Sequence, residues 1–423
     1  MLTAIVGINW GDEGKGRMVD LLSQGYEVVS RYQGGNNAGH TILVNGEKFV
    51  LNLLPSGILR PEVANVLGPG MVVDIAHLRG EMKRLEERGV KITPERLKIS
   101  HRACVCLPCN VRQDCLEEER LADQKFGSTR RGIGPIYGDK YMKKALRMED
   151  LLDPARLERE LRHLLDWKNL MLHNGYGAPA EDYDATMAWL KENGDPLKPY
   201  ICDTGAFLEE AVAQGKSVLF EAQLGALRDI DYGIYPYTSS STTLAAYAPI
   251  GAGIPGRKLD RVIGVMKAYS SCVGEGPFTC ELFGEEAEAL RAAGGEYGAA
   301  TGRPRRVGPF DVPASRYGVA VQGADCLALT KMDVLSGMEK IPVCARYSVD
   351  GAETERFPSG DALVRAKPVV QYLEGWGCDI GGCRRWEDLP AAARRYVEYL
   401  EEQVRCPIRY VSVGADRDAY LVR

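Results

Sequence analysis

An apolar run, Leu2 to Ile8, leads directly into the stretch Asn9-Trp10-Gly11-Asp12-Glu13-Gly14-Lys15-Gly16, and a helical pattern follows from Arg17 to Leu22. This order predicts a strand, a phosphate-binding loop and a helix. Glycines let backbone N–H groups face an anion, and the helix N-terminus adds its dipole. Lys15 would contact the phosphates as a point charge. The alternative is a glycine-rich strand–helix turn that binds no ligand.

Two positions of this loop differ from the usual phosphate-loop pattern. That pattern has a glycine where this chain has Asn9, and a serine or threonine where it has Gly16. The hydroxyl that normally holds Mg²⁺ is therefore missing. Asp12 is the nearest candidate for a replacement ligand.

A second nucleotide motif follows the predicted strand Cys326 to Leu329, as Thr330-Lys331-Met332-Asp333. In a guanine-reading turn, the aspartate accepts hydrogen bonds from the guanine N1–H and exocyclic amine, which adenine cannot supply. Alone, the tetrapeptide also fits a solvated turn. Together with the phosphate loop it indicates GTP rather than ATP. The strand end Val411 to Gly414 would close over the other face of the base.

Further motifs occur in a fixed order along the chain. They are Arg31-Tyr32-Gln33-Gly34-Gly35-Asn36-Asn37-Ala38-Gly39-His40-Thr41, Arg131-Gly132-Ile133-Gly134-Pro135, Asp229-Ile230-Asp231-Tyr232-Gly233, Lys267-Ala268-Tyr269-Ser270 and Thr301-Gly302-Arg303-Pro304-Arg305-Arg306. With these motifs the chain resembles, over nearly its whole length, the adenylosuccinate synthetases. That family uses GTP to join L-aspartate to the 6-position of inosine monophosphate (IMP), through a 6-phosphoryl intermediate, in purine biosynthesis.

Alternating strand and helix patterns, together with the resemblance, predict an α/β fold. We expect a large, mostly parallel twisted sheet flanked by helices, similar to the P-loop nucleoside triphosphatases. The chain would form one domain over residues 1–423, with a helical insertion subdomain at about 110–215. Strands are expected at 2–8, 28–31, 63–68, 218–221, 261–266, 325–330 and 408–413, and a helix at 74–89.

The resemblance implies roles for the residues that handle GTP and the chemistry. Asp12 would be the base that removes the N1 proton, as well as a Mg²⁺ ligand, and His40 would be the acid. The Gly39 carbonyl would be a second Mg²⁺ ligand. GTP would be bound by Gly11, Glu13, Gly14, Lys15, Gly16, Gly39, Thr41, Arg305, Lys331, Asp333, Ser412 and Gly414.

The resemblance likewise implies binding residues for the acceptor nucleotide and for the amine donor. The acceptor set is Asn37, Thr129, Lys143, Gln223, Leu224, Ser239 and Arg303, with Lys143 reaching into the neighbouring site of a homodimer. The aspartate set is Ala299, Ala300, Thr301, Arg303 and Arg305. Planar guanidinium groups suit the two carboxylates of aspartate.

Departures from the family pattern concentrate around the acceptor. Lys143 stands where an arginine is usual, Arg130 replaces a glycine, Ser239 replaces a threonine, and Ala300 replaces a second threonine. The family amide is either displaced to Gln223 or lost to Leu224. Three hypotheses remain open: the ordinary synthetase, a paralogous ligase acting on another purine nucleotide or nucleotide-like acceptor, and a GTP-binding protein without ligase activity.

Composition agrees with a cytoplasmic metabolic enzyme. The 423 residues are 45% hydrophobic, enough for a large core, and the net charge of −5 gives no support for nucleic-acid binding. No apolar run reaches the roughly 20 residues of a membrane span. The twelve cysteines suggest free thiols. The cluster Cys104, Cys106, Cys109 and Cys115 fits buried small side chains better than a metal site, although metal binding stays open.

Overall fold

The computed structural model describes residues 1–44, 46–297 and 304–423. Within these ranges the strands are β1 (Leu2–Gly7), β2 (Val28–Arg31), β3 (His40–Val44), β4 (Glu47–Leu51), β5 (Ala64–Leu67), β6 (Val72–Val73), β7 (Leu97–Ser100), β8 (Cys104–Val105), β9 (Ile201–Cys202), β10 (Val218–Glu221), β11 (Arg261–Lys267), β12 (Ser270–Cys272), β13 (Arg306–Gly308), β14 (Phe310–Asp311), β15 (Cys326–Thr330), β16 (Lys340–Val349), β17 (Ala352–Thr354), β18 (Lys367–Glu374), β19 (Ile408–Ser412) and β20 (Tyr420–Val422).

The α-helices in the same ranges are α1 (Lys15–Leu22), α2 (Ile75–Glu86), α3 (Pro108–Leu121), α4 (Ile133–Tyr141), α5 (Pro154–Leu170), α6 (Tyr183–Gly194), α7 (Thr204–Ala213), α8 (Ala248–Ala252), α9 (Gly284–Gly294), α10 (Val312–Gln322), α11 (Asp361–Arg365) and α12 (Ala391–Val404). None of the helices in the described ranges combines the length and apolar content that a bilayer crossing requires.

Ten strands form the main sheet, in the order β20-β19-β15-β11-β1-β10-β2-β5-β7-β9. Every neighbouring pair is parallel except β19 and β20. The central strand β1 is buried along its whole length, as expected for a parallel sheet covered by helices on both faces. The predicted α/β fold, the seven strands and the helix α2 are confirmed: two strands match at both ends, and the ends of the other elements differ by at most three residues.

Parallel strands place their carboxyl ends along one edge of the sheet, where α/β proteins bind ligands. The phosphate loop follows β1, the glycine-rich motif follows β2, Gln223 follows β10, and the guanine-reading turn follows β15. Ser412 ends β19, which lies beside β15. The topology therefore brings motifs from residues 9 to 414 to a single edge.

The segment from about 110 to 215 is mainly helical, as predicted, but it also contributes the edge strand β9 to the main sheet. The buried leucines of α5 pack in one hydrophobic cluster with strands β5 and β7 and helix α2. These leucines are packing residues. The division into a domain and an insertion subdomain stays a prediction.

All twelve cysteines are unpaired in the structure. Cys104, Cys106 and Cys109 are buried, and burial raises the pKa of each thiol. Thiols whose deprotonation is disfavoured behave as small apolar side chains. Among the described residues no group of three or more His, Cys, Asp or Glu side chains is arranged to hold a metal ion.

Candidate active site

Glu13 organises the phosphate loop from the inside. Its Oε1 accepts hydrogen bonds from the backbone N–H groups of Asn9, at 3.1 Å, and Gly11, at 2.8 Å. Its Oε2 pairs with Lys15 Nζ at 2.6 Å, and both side chains are buried. Gly11 and Gly14 have φ angles of 103° and 95°, in the left-handed region that favours glycine. The loop is thus fixed in shape with the lysine held at its centre.

His40 lies directly against the first turn of α1. A Cβ added to Gly16 would come 2.4 Å from the His40 Cβ, so no serine or threonine fits at position 16 while His40 stays in place. The imidazole is buried, and its Nδ1 contacts the Glu221 carboxylate. Glu221 also accepts the Ser56 N–H at 2.7 Å, which fixes the carboxylate.

The charge state of the imidazole depends on two opposing effects. Burial lowers the pKa of His40, while the adjacent Glu221 favours the charged ring. Burial also raises the pKa of Glu221, but the contacts with His40 and Arg31 outweigh that effect and lower it. Glu221 is therefore ionised and accepts the His40 Nδ1–H. This arrangement leaves Nε2 as the nitrogen that can act on a ligand.

Asp12 is linked to a buried carboxylate through Arg305. Asp12 Oδ2 lies 3.1 Å from Arg305 Nη2, and Arg305 Nη1 lies 2.7 Å from Glu296 Oε2. Glu296 is fully buried and also pairs with Lys267 at 2.8 Å and with Lys331 at 3.0 Å. Burial lowers the pKa of Lys267 to about 8. One carboxylate thus joins three cations, of which Arg305 and Lys331 are predicted ligand-binding residues.

The guanine-reading turn contacts the phosphate loop directly. Thr330 Oγ1 donates to the backbone carbonyl of Glu13 at 2.7 Å, and Lys331 adopts a left-handed φ of 60°. In the described part of the chain, Asp333 Oδ1 is buried and has no hydrogen-bond partner. Burial raises the pKa of this carboxyl group. An unpaired buried acceptor is costly, and a ligand with N–H donors would satisfy it.

Gln223, rather than Leu224, contacts Asn37, another residue of the predicted acceptor set. Gln223 Nε2 donates to Asn37 Oδ1 at 2.8 Å, and its Oε1 accepts from Arg31. A Cβ on Gly34 would come 1.5 Å from Gln223 Nε2, which requires the glycine. Leu224 instead packs against Gly11, with a φ of 61°.

The loop that carries Thr129 is anchored to α3. Asp114 accepts a hydrogen bond from Ser128 Oγ at 2.7 Å and from the Gly132 N–H at 2.9 Å. On another loop, Ser239 donates its N–H to the Arg228 carbonyl at 2.8 Å. Thr129 and Ser239 therefore lie on loops with defined anchors.

The remaining predicted residues divide into three groups. Gly39 and Thr41 are exposed at the start of β3, beside the buried His40, and Ser412 and Gly414 lie at the end of β19. Lys143 is exposed. Ala299, Ala300, Thr301 and Arg303 lie outside the described residues.

Sequence reasoning did not single out Glu296 or the Glu221 that orients His40. Glu221 ends a predicted strand, so its position at the ligand-binding edge was a usable signal. Glu296 stands in an ordinary Gly-Glu-Tyr-Gly context with no motif of its own. Its importance emerges only when the fold brings three distant cations to it.

A family model described as adenylosuccinate synthetase matches residues 4–421. The chain belongs to the adenylosuccinate synthetase family. The adenylosuccinate synthetase of Caldanaerobacter subterraneus is 43% identical, covering 100% of this chain and 99% of the relative. That of Magnetococcus marinus is 44% identical, covering 99% of this chain and 97% of the relative.

Solved structures agree with the family. A fully ligated adenylosuccinate synthetase from Plasmodium falciparum is similar with a TM-score of 0.93 and 34% identity, covering 100% of this chain and 99% of that chain. A succinoaminodeoxyadenylate synthetase of cyanophage S-2L, bound to dGMP and dATP, shares the fold with a TM-score of 0.61 at 20% identity, covering 100% of this chain and 95% of that chain.

Family membership decides between the three hypotheses of the sequence analysis. The chain is a ligase that forms a C–N bond, rather than a GTP-binding protein without catalysis. Its reaction is the GTP-dependent joining of IMP and aspartate in purine biosynthesis. The full-length identity to named synthetases favours this acceptor over a different nucleotide.

Proposed function

We propose that the chain makes adenylosuccinate in two steps, with Asp12 as the base. Asp12 takes the N1 proton of IMP, and the 6-oxygen then attacks the γ-phosphorus of GTP, breaking the bond to the β-phosphate oxygen and releasing GDP. The aspartate amine next bonds to C6 and loses a proton to the departing phosphate, as the C6–O bond breaks and phosphate leaves with the 6-oxygen. The observation that most directly supports Asp12 as the base is its position in the phosphate loop, where its carboxylate is held 3.1 Å from Arg305.

His40 would stabilise the charge that develops during phosphoryl transfer. Its Nδ1–H is held by Glu221, which fixes the orientation of the ring. With a second proton on Nε2, the ring would be positively charged and would donate a hydrogen bond to the transferring phosphoryl group. GTP brings negative charge next to the imidazole, which opposes the effect of burial and favours protonation. The contact with Gly16 places this ring at the first turn of α1, where phosphates are expected.

Gln223 and Asn37 would bind the purine of the acceptor. Both amides are fixed, Gln223 by Arg31 and Asn37 by the Gly35 N–H at 3.2 Å. Amides can donate to the 6-oxygen as it becomes anionic. Thr129 and Ser239 would hold the acceptor phosphate, with Arg303 close to the acceptor.

Asp333 would select guanine. Its buried Oδ1 is an acceptor with no partner in the described part of the chain, and the guanine edge supplies two N–H donors. Lys331 lies beside it and is held at its Nζ by Glu296 and by the Gly294 carbonyl. The aliphatic stem of Lys331 would pack on the base.

The donor set fits Mg²⁺. Asp12 offers a carboxylate that is 31% exposed, and Gly39 offers an exposed backbone carbonyl. Mg²⁺ prefers such oxygens and is commonly bound by one or two protein groups together with phosphates and water. Because His40 excludes a hydroxyl at position 16, Asp12 would take over the role of the usual Ser or Thr. The bound ion would neutralise charge on the β- and γ-phosphates.

The aspartate substrate would bind between Arg305 and the segment Ala299 to Arg303. Arg305 already contacts two carboxylates, Asp12 and Glu296, which supports carboxylate recognition at this place. A bidentate guanidinium suits the dicarboxylate.

We also propose a cytoplasmic homodimer. Lys143 follows Tyr141 and Met142, which are 73% and 46% exposed, and these three side chains form an apolar and basic end of α4. A partner chain would cover the apolar part, and Lys143 would then reach the acceptor phosphate of the neighbouring site. The unpaired cysteines support a reducing compartment.

A nucleotide panel tests the proposed reaction. Purified protein with Mg²⁺ and L-aspartate is assayed for GDP release with IMP, GMP, XMP and dGMP as acceptors. IMP should give the highest rate, with one adenylosuccinate formed per GDP. A higher kcat/KM with another acceptor would contradict the choice of IMP.

A further inference from the structure

Arg17 lies on α1, two residues after the phosphate-loop lysine, and reaches the loop at residues 412–419. Its Nη1 donates to Ser412 Oγ at 3.0 Å and to the Gly414 carbonyl at 2.6 Å. Its Nη2 donates to the Asp416 carbonyl. The guanidinium also lies 4.4 Å from the centroid of the Tyr420 ring. One side chain therefore holds several points of this loop.

These contacts determine the direction of the loop's N–H groups. In a trans peptide the C=O and the following N–H point in opposite directions. Because Arg17 binds the carbonyls of Gly414 and Asp416, the N–H groups of Ala415 and Arg417 point away from it. Across residues 1–44, 46–297 and 304–423, neither N–H donates to another group of the protein. Two fixed backbone donors are thus available to a ligand.

The loop lies beside the predicted guanine-reading turn. Strand β19 pairs with β15, with Val411 opposite Leu329, so both strand ends emerge together. Asp333 presents a buried acceptor just after β15, and the 412–419 loop presents backbone donors just after β19. Guanine has an acceptor at its 6-position and donors at N1 and N2. Adenine carries an amino donor at the 6-position, which would face the N–H groups of the loop.

We infer that Arg17 is a positioning residue for nucleotide selectivity. It holds the 412–419 loop so that backbone N–H groups face the 6-oxygen of the base, and it thereby favours guanine over adenine. This inference rests on the proposed binding of guanine beside Asp333. Arg17 itself does not contact the base.

If Arg17 only anchored the C-terminal strand β20, its loss would have different consequences. It would lower the stability of the protein and weaken the binding of all nucleotides alike. Loss of a positioning residue instead changes the ratio of guanine to adenine affinity. Dissociation constants for GDP and ADP therefore separate the two roles.

The experiment uses the full-length protein with Mg²⁺, and calorimetry measures the Kd of GDP and of ADP for wild type, Arg17→Met and Arg17→Lys. Arg17→Met removes every hydrogen bond of the guanidinium, so we expect the Kd of GDP to rise at least about tenfold while the Kd of ADP changes less than about twofold. Arg17→Lys should fall between wild type and Arg17→Met, because an ammonium lacks the planar fork.

Arg162→Met is the matched control. The guanidinium of Arg162 likewise lies over a tyrosine ring, 4.1 Å from the Tyr183 centroid, and pairs with Glu158. These residues lie on α5 and α6, which carry none of the predicted guanine motifs. Arg162→Met should leave both constants unchanged. The inference would be overturned if Arg17→Met raised the Kd of GDP and the Kd of ADP by the same factor. It would also be overturned if the ratio of the two constants stayed at its wild-type value in both Arg17→Lys and Arg17→Met. If wild type shows no preference for GDP, the proposed guanine site fails instead. Arg17→Lys keeps the positive charge and the aliphatic stem, so it provides the test of the inference if Arg17→Met does not fold.

Discussion

His40 packs against Gly16 so closely that a Cβ at position 16 would lie 2.4 Å from the His40 Cβ. The chain thus exchanges the usual phosphate-loop hydroxyl for a buried imidazole at the same place. In the proposed mechanism this exchange links two departures from common phosphate-loop chemistry, the absence of a hydroxyl metal ligand at position 16 and the use of His40 as a proton donor. Asp12 would then serve the metal.

Gly16→Ser tests this relationship. The added side chain would displace His40 from Glu221, and we expect kcat to fall at least about a hundredfold while the protein still folds. Gly25→Ala is the control, because a Cβ there meets no atom within 4 Å. Gly16→Ser with wild-type kcat would show that His40 needs no fixed position.

Asp333→Asn tests guanine recognition. An amide presents a donor to the guanine N–H groups, and the preference for GTP over ATP in kcat/KM should fall by a factor equivalent to about 1–3 kcal/mol. The preference is measured by steady-state kinetics with saturating IMP and aspartate. If Asp333→Asn keeps the full preference, Asp333 does not contact the base.

The acceptor amide is tested by Gln223→Ala and Leu224→Gln. Gln223 is bonded to Asn37, so Gln223→Ala should lower kcat with IMP by about 10²–10³, the usual contribution of an oxyanion-stabilising donor. Leu224→Gln should change kcat little, because Leu224 packs on Gly11. The reverse pattern of effects would place the functional amide at position 224.

Asp311 makes a pH-dependent contribution to stability. Burial raises the pKa of Asp311 to about 6, while the side chain caps α10 through the Ala314 N–H and accepts from Tyr347. The folded state therefore favours the protonated form, and this contribution is lost as the pH rises from about 4 to 6. Asparagine cannot titrate, so Asp311→Asn lacks this pH dependence. The difference in unfolding free energy, wild type minus variant, should therefore fall by about 2–3 kcal/mol between pH 4 and pH 6.

Chemical denaturation at pH 4, 5, 6 and 7 measures the difference. Asp182→Asn, which alters an exposed cap of α6, controls for the general effect of changing a cap. A difference between wild type and Asp311→Asn that stays constant from pH 4 to 7 would contradict the raised pKa.

The sequence was sufficient for the sheet because buried parallel strands give continuous apolar runs, such as Leu2 to Ile8 and Cys326 to Leu329. The phosphate loop and the guanine-reading turn can be predicted because glycines and an Asp at a strand end carry local signals. The sequence could not decide between Gln223 and Leu224. That choice depends on the left-handed backbone at Leu224 and on the contact of Gln223 with Asn37, which lies in the distant turn between β2 and β3.

Glu296 and Arg17 show a second limit of sequence reasoning. Each is an ordinary charged residue in its local sequence, and each acquires its place through partners far away in the chain. Glu296 contacts Lys267 and Lys331, and Arg17 contacts Gly414 almost four hundred residues later. Contacts of this kind follow from strand order, which no local pattern encodes.

The central claim is that the 6-oxygen of IMP becomes a phosphate ester before the aspartate amine displaces it. IMP labelled with ¹⁸O at the 6-position, incubated with the protein, GTP, Mg²⁺ and L-aspartate, tests this directly by mass spectrometry of the released phosphate. We predict one ¹⁸O atom in each phosphate for every adenylosuccinate formed, and neither product with Asp12→Ala. Adenylosuccinate formed together with unlabelled phosphate would contradict the claim.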